Sequence, residues 1–331
     1  MKNDPTVTLR VTSGEAGVRL DRLLRRLLPG MPLSRIHRMI RTGGALVDGR
    51  RIKGSERLEE GATLSLSLGE EDAAGLKDRL AGAPDRADLH GALRLRVLHE
   101  DEHVIAFDKP SGVAAHPGSR HPLKETVLGA LHARAGRGNA TFTPALVGRL
   151  DRDTSGVQLA GASPEGLRGL SELSREGRIA KTYLALVRGE DLPKEGRIDA
   201  ALVDTKRGGA RMRALGAGTE DHAALEAVTE YRVVSRGGGA SLVEVSLLTG
   251  RRHQIRAHFR SMGSPVAGDP RYGDKRWNGG LSRRAELGRL WLHCAEASFA
   301  HPVTGAELQV RSPLPSELRR TLQLLGISLR S

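Results

Sequence analysis

One cysteine, Cys294, occurs in the 331 residues of this chain. A single thiol closes no intrachain disulfide and builds no cysteine-based zinc cluster, and this economy suits a reducing compartment. Long apolar runs are missing too: no stretch reaches the about eighteen apolar residues a membrane span needs. The start, MKNDPTVTLRV, lacks the apolar core of a secretory signal. Together these absences lead to the expectation of a cytoplasmic protein with no membrane partner. No G-x-x-x-x-G-K-[ST] loop is present to cradle nucleotide phosphates, and no internal repeat is visible. Aromatic residues make up 3% of the chain, so any tyrosine in a distinctive context carries extra weight. Acidic residues are in deficit, 39 Asp and Glu against 52 Lys and Arg, a formal charge of +13. Such an excess points to a polyanionic partner, because each cation placed near a phosphate releases condensed counterions.

The length suits two domains. Leu20, Leu23, Leu24, Leu27 and Leu28 form one helical stripe, with Arg19, Arg22, Arg25 and Arg26 off it, and Pro29-Gly30 ends the helix. Ser34 is a candidate N-cap for a second helix that turns Ile36, Met39 and Ile40 inward and carries Arg35, Arg38 and Arg41. Ala45-Leu46-Val47, Asp48-Gly49 and Arg50-Arg51-Ile52 read as a hairpin with a tight turn, and Thr63 to Leu68 alternates like a closing strand. Arg19 to Arg57 holds eleven Lys and Arg against Asp21, Asp48 and Glu56. A solvated helix face would explain some of these, but the local excess favours a phosphate-binding face, with Arg22, Arg26, Arg35, Arg38, Arg50 and Lys53 as candidates. The expected organisation is an N-terminal arm over 1–16, a basic module over 17–69, a polar linker over 70–92 and a second domain over 93–331.

In the second domain, strands are expected over Val104–Phe107, Val157–Ala160, Tyr183–Val187, Glu226–Val234 and Leu242–Leu248. Helices are expected over Thr126–Ala135, Glu165–Glu176 and Ser316–Leu325, the second opened by Ser163-Pro164. One segment stands apart: Gly148-Arg149-Leu150-Asp151-Arg152-Asp153-Thr154-Ser155-Gly156-Val157. It sets a carboxylate between two cations just before an apolar strand, where loops commonly present reactive groups. An ordinary polar turn would look much the same.

R-L-D-x-x-T-S-G followed by an apolar residue resembles the active-site segment of the RluA and RsuA families of pseudouridine synthases. Further blocks agree in order: Asp108-Lys109-Pro110-Ser111-Gly112 with His116-Pro117-Gly118, Lys181-Thr182-Tyr183-Leu184-Ala185-Leu186-Val187, Thr249-Gly250-Arg251-Arg252-His253-Gln254-Ile255-Arg256-Ala257-His258, Gly268-Asp269-Pro270-Arg271-Tyr272-Gly273 and His301-Pro302-Val303-Thr304-Gly305. The later blocks are RluA-type, whereas Gly148 stands where RluA-type members usually carry His. Gly17 to Leu66, with its V-D-G-R element, resembles the S4 RNA-binding domain carried by the RluC-like group.

The resemblance implies an α+β chain: a small S4-type helix-hairpin module, then a catalytic domain on a mixed, mainly antiparallel sheet with flanking helices. It implies isomerisation of uridine to pseudouridine in RNA, large-subunit (23S) ribosomal RNA being the expected partner, with tRNA or small-subunit rRNA as alternatives. Asp151 becomes the candidate catalytic carboxylate, Arg256 its guanidinium partner or a phosphate contact, and Tyr183 a ring that stacks on the base or assists proton removal. Arg149 would prop the vacated stack after base flipping. His116, Arg251 and His253 would shape the RNA site. His253 and His258 are five apart, poor spacing for a shared metal on one helix face, and neither metal nor organic cofactor is expected. A non-catalytic RNA-binding protein is one rival reading. An acyl hydrolase using Ser155 and a histidine is another, and it lacks the G-x-S-x-G elbow.

Overall fold

The computed structural model describes residues 5–11, 15–80, 91–118, 121–135, 142–205, 211–215 and 223–329. In the N-terminal part, β1 (Thr6–Arg10) is followed by α1 (Leu20–Leu27), α2 (Leu33–Thr42), β2 (Ala45–Val47), β3 (Thr63–Ser67) and α3 (Glu70–Leu80). The leucine stripe is buried as its spacing demands: Leu20, Leu23, Leu24 and Leu27 are fully enclosed, with Ile36, Met39 and Ile40 against them. Burying one such side chain contributes roughly 1.5–3 kcal/mol, so this small core depends on nearly every leucine in it.

Several expectations for this region are corrected. The supposed arm at 1–16 contains β1, which pairs in register with β3 from Thr6↔Ser67 to Arg10↔Thr63; residues 1–4 and 12–14 lie outside the described residues. The supposed linker at 70–92 begins with α3, whose Ala73 and Leu76 are buried in the N-terminal core and whose Asp72 pairs with Arg35 at 2.9 Å. Its polar composition concealed two inward positions; residues 81–90 lie outside the described residues. Ser34 caps nothing, because α2 starts at Leu33 with Pro32 at the cap position. Asp48 and Gly49 do form a tight turn, with φ of 49° and 75° and reciprocal bonds between Val47 and Arg50. No strand follows at Arg50–Ile52. Instead β2 pairs with β3, and Asp48 Oδ1 accepts the Thr63 N–H at 2.8 Å.

The rest of the chain is organised on a ten-stranded sheet. Its strands are β4 (Arg96–Glu100), β5 (Val104–Lys109), β6 (Ala145–Val147), β7 (Ser155–Gly161), β8 (Ala180–Arg188), β9 (Glu195–Asp199), β12 (Val228–Gly237), β13 (Ala240–Leu247), β14 (Leu292–Ala300) and β15 (Glu307–Arg311), and a separate hairpin is made by β10 (Leu202–Thr205) and β11 (Arg211–Ala214). The main order is β4-β5-β7-β14-β8-β13-β12-β9, with β6 on β7 and β15 on β14. All pairings in it are antiparallel except β7 with β14. The sheet is therefore mixed and mainly antiparallel, as the resemblance implied.

Alternation along β8 and β13 divides the core in two. Tyr183, Ala185, Val187, Val243 and Val245 face one cluster, where α6 (Gln254–Ser261) contributes Ile255 and Phe259. Leu186, Ala240 and Leu242 face another, closed by α7 (Lys275–Ala285), α8 (Ser316–Leu324) and the fully buried Trp291. Helices α4 (Val127–Ala135) and α5 (Pro164–Arg175) complete the flanks, and Ser163 caps α5 by accepting the Gly166 N–H at 3.0 Å. Gly156 has a physical reason. At the parallel crossing of β7 and β14, a Cβ there would lie 2.1 Å from the Cys294 carbonyl oxygen.

Candidate active site

Between β6 and β7 the chain makes a short loop that carries Asp151. It is entered through Gly148 in the left-handed region at φ 64°, where glycine is unstrained. Leu150 is buried beneath it, its N–H bonded to Gln158 Oε1 at 3.0 Å. The Asp108–Gly112 segment braces the other side. Lys109 is fully buried and donates to three carbonyls, those of Pro110, Val113 and Arg152, at 2.8–2.9 Å. Burial pulls its pKa down to about 7, against the pull of the Asp153 and Asp151 charges. The three carbonyl acceptors use all three ammonium protons. Ser111 Oγ donates to the Asp153 carbonyl at 2.7 Å, and the Gly112 N–H to that of Arg152 at 2.9 Å. The loop is thus held by its backbone, and the Asp151 side chain remains free to be oriented by other groups.

That orientation comes from α6. Arg256, 4% exposed, donates through Nη1 to Asp151 Oδ2 at 2.9 Å. Its Nε and Nη2 are engaged by Asp269 at 2.7 and 2.9 Å, and Asp269 also accepts the N–H groups of Arg271 and Tyr272. Burial disfavours the Arg256 charge, but the hydrogen bonds and charges of Asp269 and Asp151 outweigh it and raise its pKa. Burial would likewise raise Asp269, and its bonds to Arg256 and the two amides hold it low. Asp269 thereby fixes the guanidinium plane and leaves one edge for Asp151. Among the described residues, Asp151 Oδ1 has no hydrogen-bond partner.

The carboxylate opens into a cavity of about 780 Å³ whose walls include His116, Arg149, Arg152, Arg252, His253 and Arg271. Of the sequence candidates, Asp151, Arg256, Arg149, His116 and His253 meet there. Arg149 is exposed at the rim, and burial together with the Arg149 charge lowers the His116 pKa. Tyr183 and Arg251 do not line the cavity. Tyr183 is in the core, opposite Cys294 of β14, and burial first, then Cys294 and Asp151, raises its phenol well above the ordinary value. Arg251 donates to the Glu226 carbonyl at 3.0 Å. Sequence reasoning gave no role to Asp269, Tyr272 or Arg252, although all three lie in quoted blocks. Arg252 reaches the wall while paired with Asp204 at 2.7 Å.

Ser155 does have a histidine partner, His293 Nδ1 at 2.9 Å, but it is 1% exposed and its Oγ accepts from Arg289 at 2.7 Å. Its hydroxyl is therefore tied between Arg289 and His293 rather than free to act as a nucleophile. The N-terminal candidates Arg22, Arg26, Arg35, Arg38, Arg50 and Lys53 are all exposed. Among the described residues no His, Cys, Asp and Glu cluster suits a metal ion, and no helix is long and apolar enough to cross a membrane.

Comparison with known proteins gives a consistent picture. The family model described as RNA pseudouridylate synthase matches residues 103–261. The chain is 37% identical over 320 residues to a ribosomal large subunit pseudouridine synthase C of Escherichia coli (strain K12), covering 95% of both chains. It is 34% identical over 314 residues to the enzyme of that name from Vibrio vulnificus (strain CMCP6), covering 95% of this chain and 94% of that one. Among solved structures, human RNA pseudouridylate synthase domain containing 4 superposes with a TM-score of 0.58 at 23% identity, over 77% of this chain and 99% of that one. Human RNA pseudouridylate synthase domain containing 1 does so with a TM-score of 0.54 at 25% identity, over 67% and 84%.

Proposed function

Because the chain belongs to the RluA family of RNA pseudouridine synthases, we propose that it isomerises uridines of large-subunit (23S) ribosomal RNA in the cytoplasm, with Asp151 as the catalytic carboxylate. The observation that carries this reading is the Arg256–Asp151 pair, with one carboxylate oxygen held at 2.9 Å and the other unpartnered at a cavity walled by cations.

The reaction breaks the glycosidic bond, turns the base over and rejoins it through carbon. An ionised carboxylate serves it by attacking the sugar C1′ or the uracil C6, or by stabilising positive charge on the sugar. All three routes need the carboxylate to stay charged when the base displaces water, and Arg256 supplies the opposing charge. A stacked base cannot enter the cavity, so the uridine flips out and Arg149, exposed at the rim, fills the vacated stack. Tyr183 enters this proposal as a protonated phenol beneath the Asp151 loop and not as a base. His116, His253 and Arg252 contact the flipped nucleotide, and Arg251 the strand outside. Isomerisation neither gains nor loses atoms, so no cofactor is invoked. The N-terminal domain acts as an S4-type module, holding the RNA through Arg22, Arg26, Arg35, Arg38, Arg50 and Lys53.

The test is chemical mapping of pseudouridine on ribosomal RNA and tRNA incubated with the wild-type protein and with Asp151→Asn. New pseudouridine in large-subunit RNA, absent with the variant, is the expected result. Modification of tRNA or small-subunit RNA alone would move the substrate assignment. Equal modification by the variant would remove Asp151 from the chemistry.

A further inference from the structure

His253 has a backbone that histidine seldom adopts, φ 53° and ψ 21°, at the residue preceding α6. That conformation turns its ring inward between two partners. Nδ1 lies 3.0 Å from the Tyr272 hydroxyl, and Nε2 lies 3.8 Å from Asp151 Oδ2. The two rings meet edge to face with centroids 5.6 Å apart.

The Tyr272 hydroxyl resolves which ring nitrogen carries the proton. A phenolic O–H lies in the plane of its ring, leaving two sites around the oxygen. One is taken by the Met212 N–H, which donates to it at 2.8 Å from β11. The hydroxyl proton therefore points the other way, to His253 Nδ1, which must accept it. A neutral imidazole that accepts at Nδ1 carries its hydrogen at Nε2. Burial, Arg256, Arg271 and Arg252 disfavour the imidazolium and Asp151 favours it; the net effect lowers the pKa to about 4.

Among the described residues, Nε2 makes no hydrogen bond. It lies beyond bonding distance of Asp151 Oδ2, which already accepts from Arg256. A fixed donor thus stands at the cavity wall beside the carboxylate, with its hydrogen unused in the free protein.

We propose that Tyr272 locks His253 as the Nε2–H tautomer, and that this N–H donates to a carbonyl oxygen of the flipped uracil. His253 is then a substrate-contacting residue and Tyr272 its positioning residue. The substrate half of the proposal rests on the pseudouridine synthase reading above; the tautomer half does not. Uracil offers carbonyl acceptors at both O2 and O4, so a donor of fixed polarity beside Asp151 suits it. A histidine free to change tautomer would present a lone pair to those oxygens part of the time.

The test has two arms. In the first, ¹⁵N NMR of histidine-labelled free protein at neutral pH reads the tautomer directly. The His253 Nε2–H form is expected in the wild type, and Tyr272→Phe is expected to bring in the Nδ1–H form. A wild-type Nδ1–H tautomer, or one unchanged by Tyr272→Phe, overturns the locking. In the second, pseudouridine formation on ribosomal RNA is measured. His253→Gln places an amide N–H near the Nε2 position and is expected to stay within about threefold of wild type. His253→Ala and Tyr272→Phe each lose about tenfold or more in kcat/KM, the scale of one hydrogen bond. Equal loss in His253→Gln and His253→Ala overturns the donor role. If the wild type forms no pseudouridine while the NMR result holds, the functional reading fails and the tautomer assignment stands.

Discussion

The N-terminal domain and the cavity around Asp151 both use arginine, in opposite ways. Arg22, Arg26, Arg38 and Arg50 stand on an exposed surface, and among the described residues no carboxylate pairs with them. Arg256 is almost fully buried and its guanidinium serves two carboxylates at once. The first set has reach and no orientation, which suits a polyanion held at many points with counterion release as the driving force. The second has orientation and no reach, which suits one reacting atom. The difference predicts that damage to the first weakens binding gradually, whereas damage to the second is all or none.

The largest effect expected is on chemistry. Asp151→Asn keeps the shape of the side chain and its contact with Arg256 but loses the charge. Pseudouridine formation should fall by more than about a thousandfold, as for other covalent or charge-stabilising groups. RNA affinity, measured by filter binding, should change by less than about twofold, within the range of a single exposed contact. A parallel loss of both would erase the proposed division of labour.

Next comes stability. Asp269→Ala removes the partner that engages two of the guanidinium nitrogens of Arg256 and strands a buried charge. Such a break costs about 3–5 kcal/mol, read by chemical denaturation. Asp151→Asn should cost far less, because its carboxylate is partly open to solvent and Asp269 still holds the arginine. If the two variants were equally stable, Arg256 would not be anchored from the Asp269 side.

The same contrast explains what the sequence reveals. The N-terminal helices were legible because stripe, charge and turn lie within one local segment, as with Leu20 to Leu28 or Asp48-Gly49. Strands β7, β8 and β13 were legible too, because each carries a short run rich in apolar residues, although β7 also buries Ser155 and Gln158 and β13 buries Ser241. Strand β14 and helix α7 were not: LHCAEASFA mixes His and Glu into a buried strand, and KRWNGGLSRRA carries two glycines in a helix started by Asp274. The site itself is built across long separations. Asp151 and Arg256 are 105 residues apart, and neither neighbourhood names the other. Block-by-block resemblance brought them together where local pattern could not. Even so it left Asp269 and Tyr272 without roles, since those roles are geometric: one orients a guanidinium, the other a ring.

A smaller effect separates the two regions by pH. Burial lowers the pKa values of His253, His258 and His293, the first to about 4, from 6.5. The unfolded chain therefore binds their protons first. Stability is complete above about pH 6.5 and is lost as pH falls toward 4, by up to about 1.4 kcal/mol per pH unit for each histidine that stays neutral. His258 Nε2 donates to the Ala200 carbonyl at 2.9 Å, and its Nδ1 meets the Thr229 hydroxyl at 2.8 Å, both beside the ten-stranded sheet. Melting curves between pH 7 and 5 should thus show the part built on the ten-stranded sheet losing stability, and His258→Gln should flatten that slope. An unchanged slope would place the proton uptake elsewhere.

The mildest change expected is in the N-terminal set, where single substitutions at exposed arginines are each worth less than about 1 kcal/mol at physiological salt. Arg22→Ala, Arg26→Ala and Arg38→Ala combined give a measurable sum without touching the core, because their helices are held by the leucines of α1 and by Ile36, Met39 and Ile40 of α2 on the opposite face. The slope of log affinity against log salt should become shallower by about 0.7–0.9 for each phosphate that is no longer neutralised. At saturating RNA the rate of pseudouridine formation should be unchanged, since none of the three faces the Asp151 cavity. A fall in that saturated rate would mean that the N-terminal cations also orient the target uridine, and the contrast between reach and orientation would no longer divide along the chain.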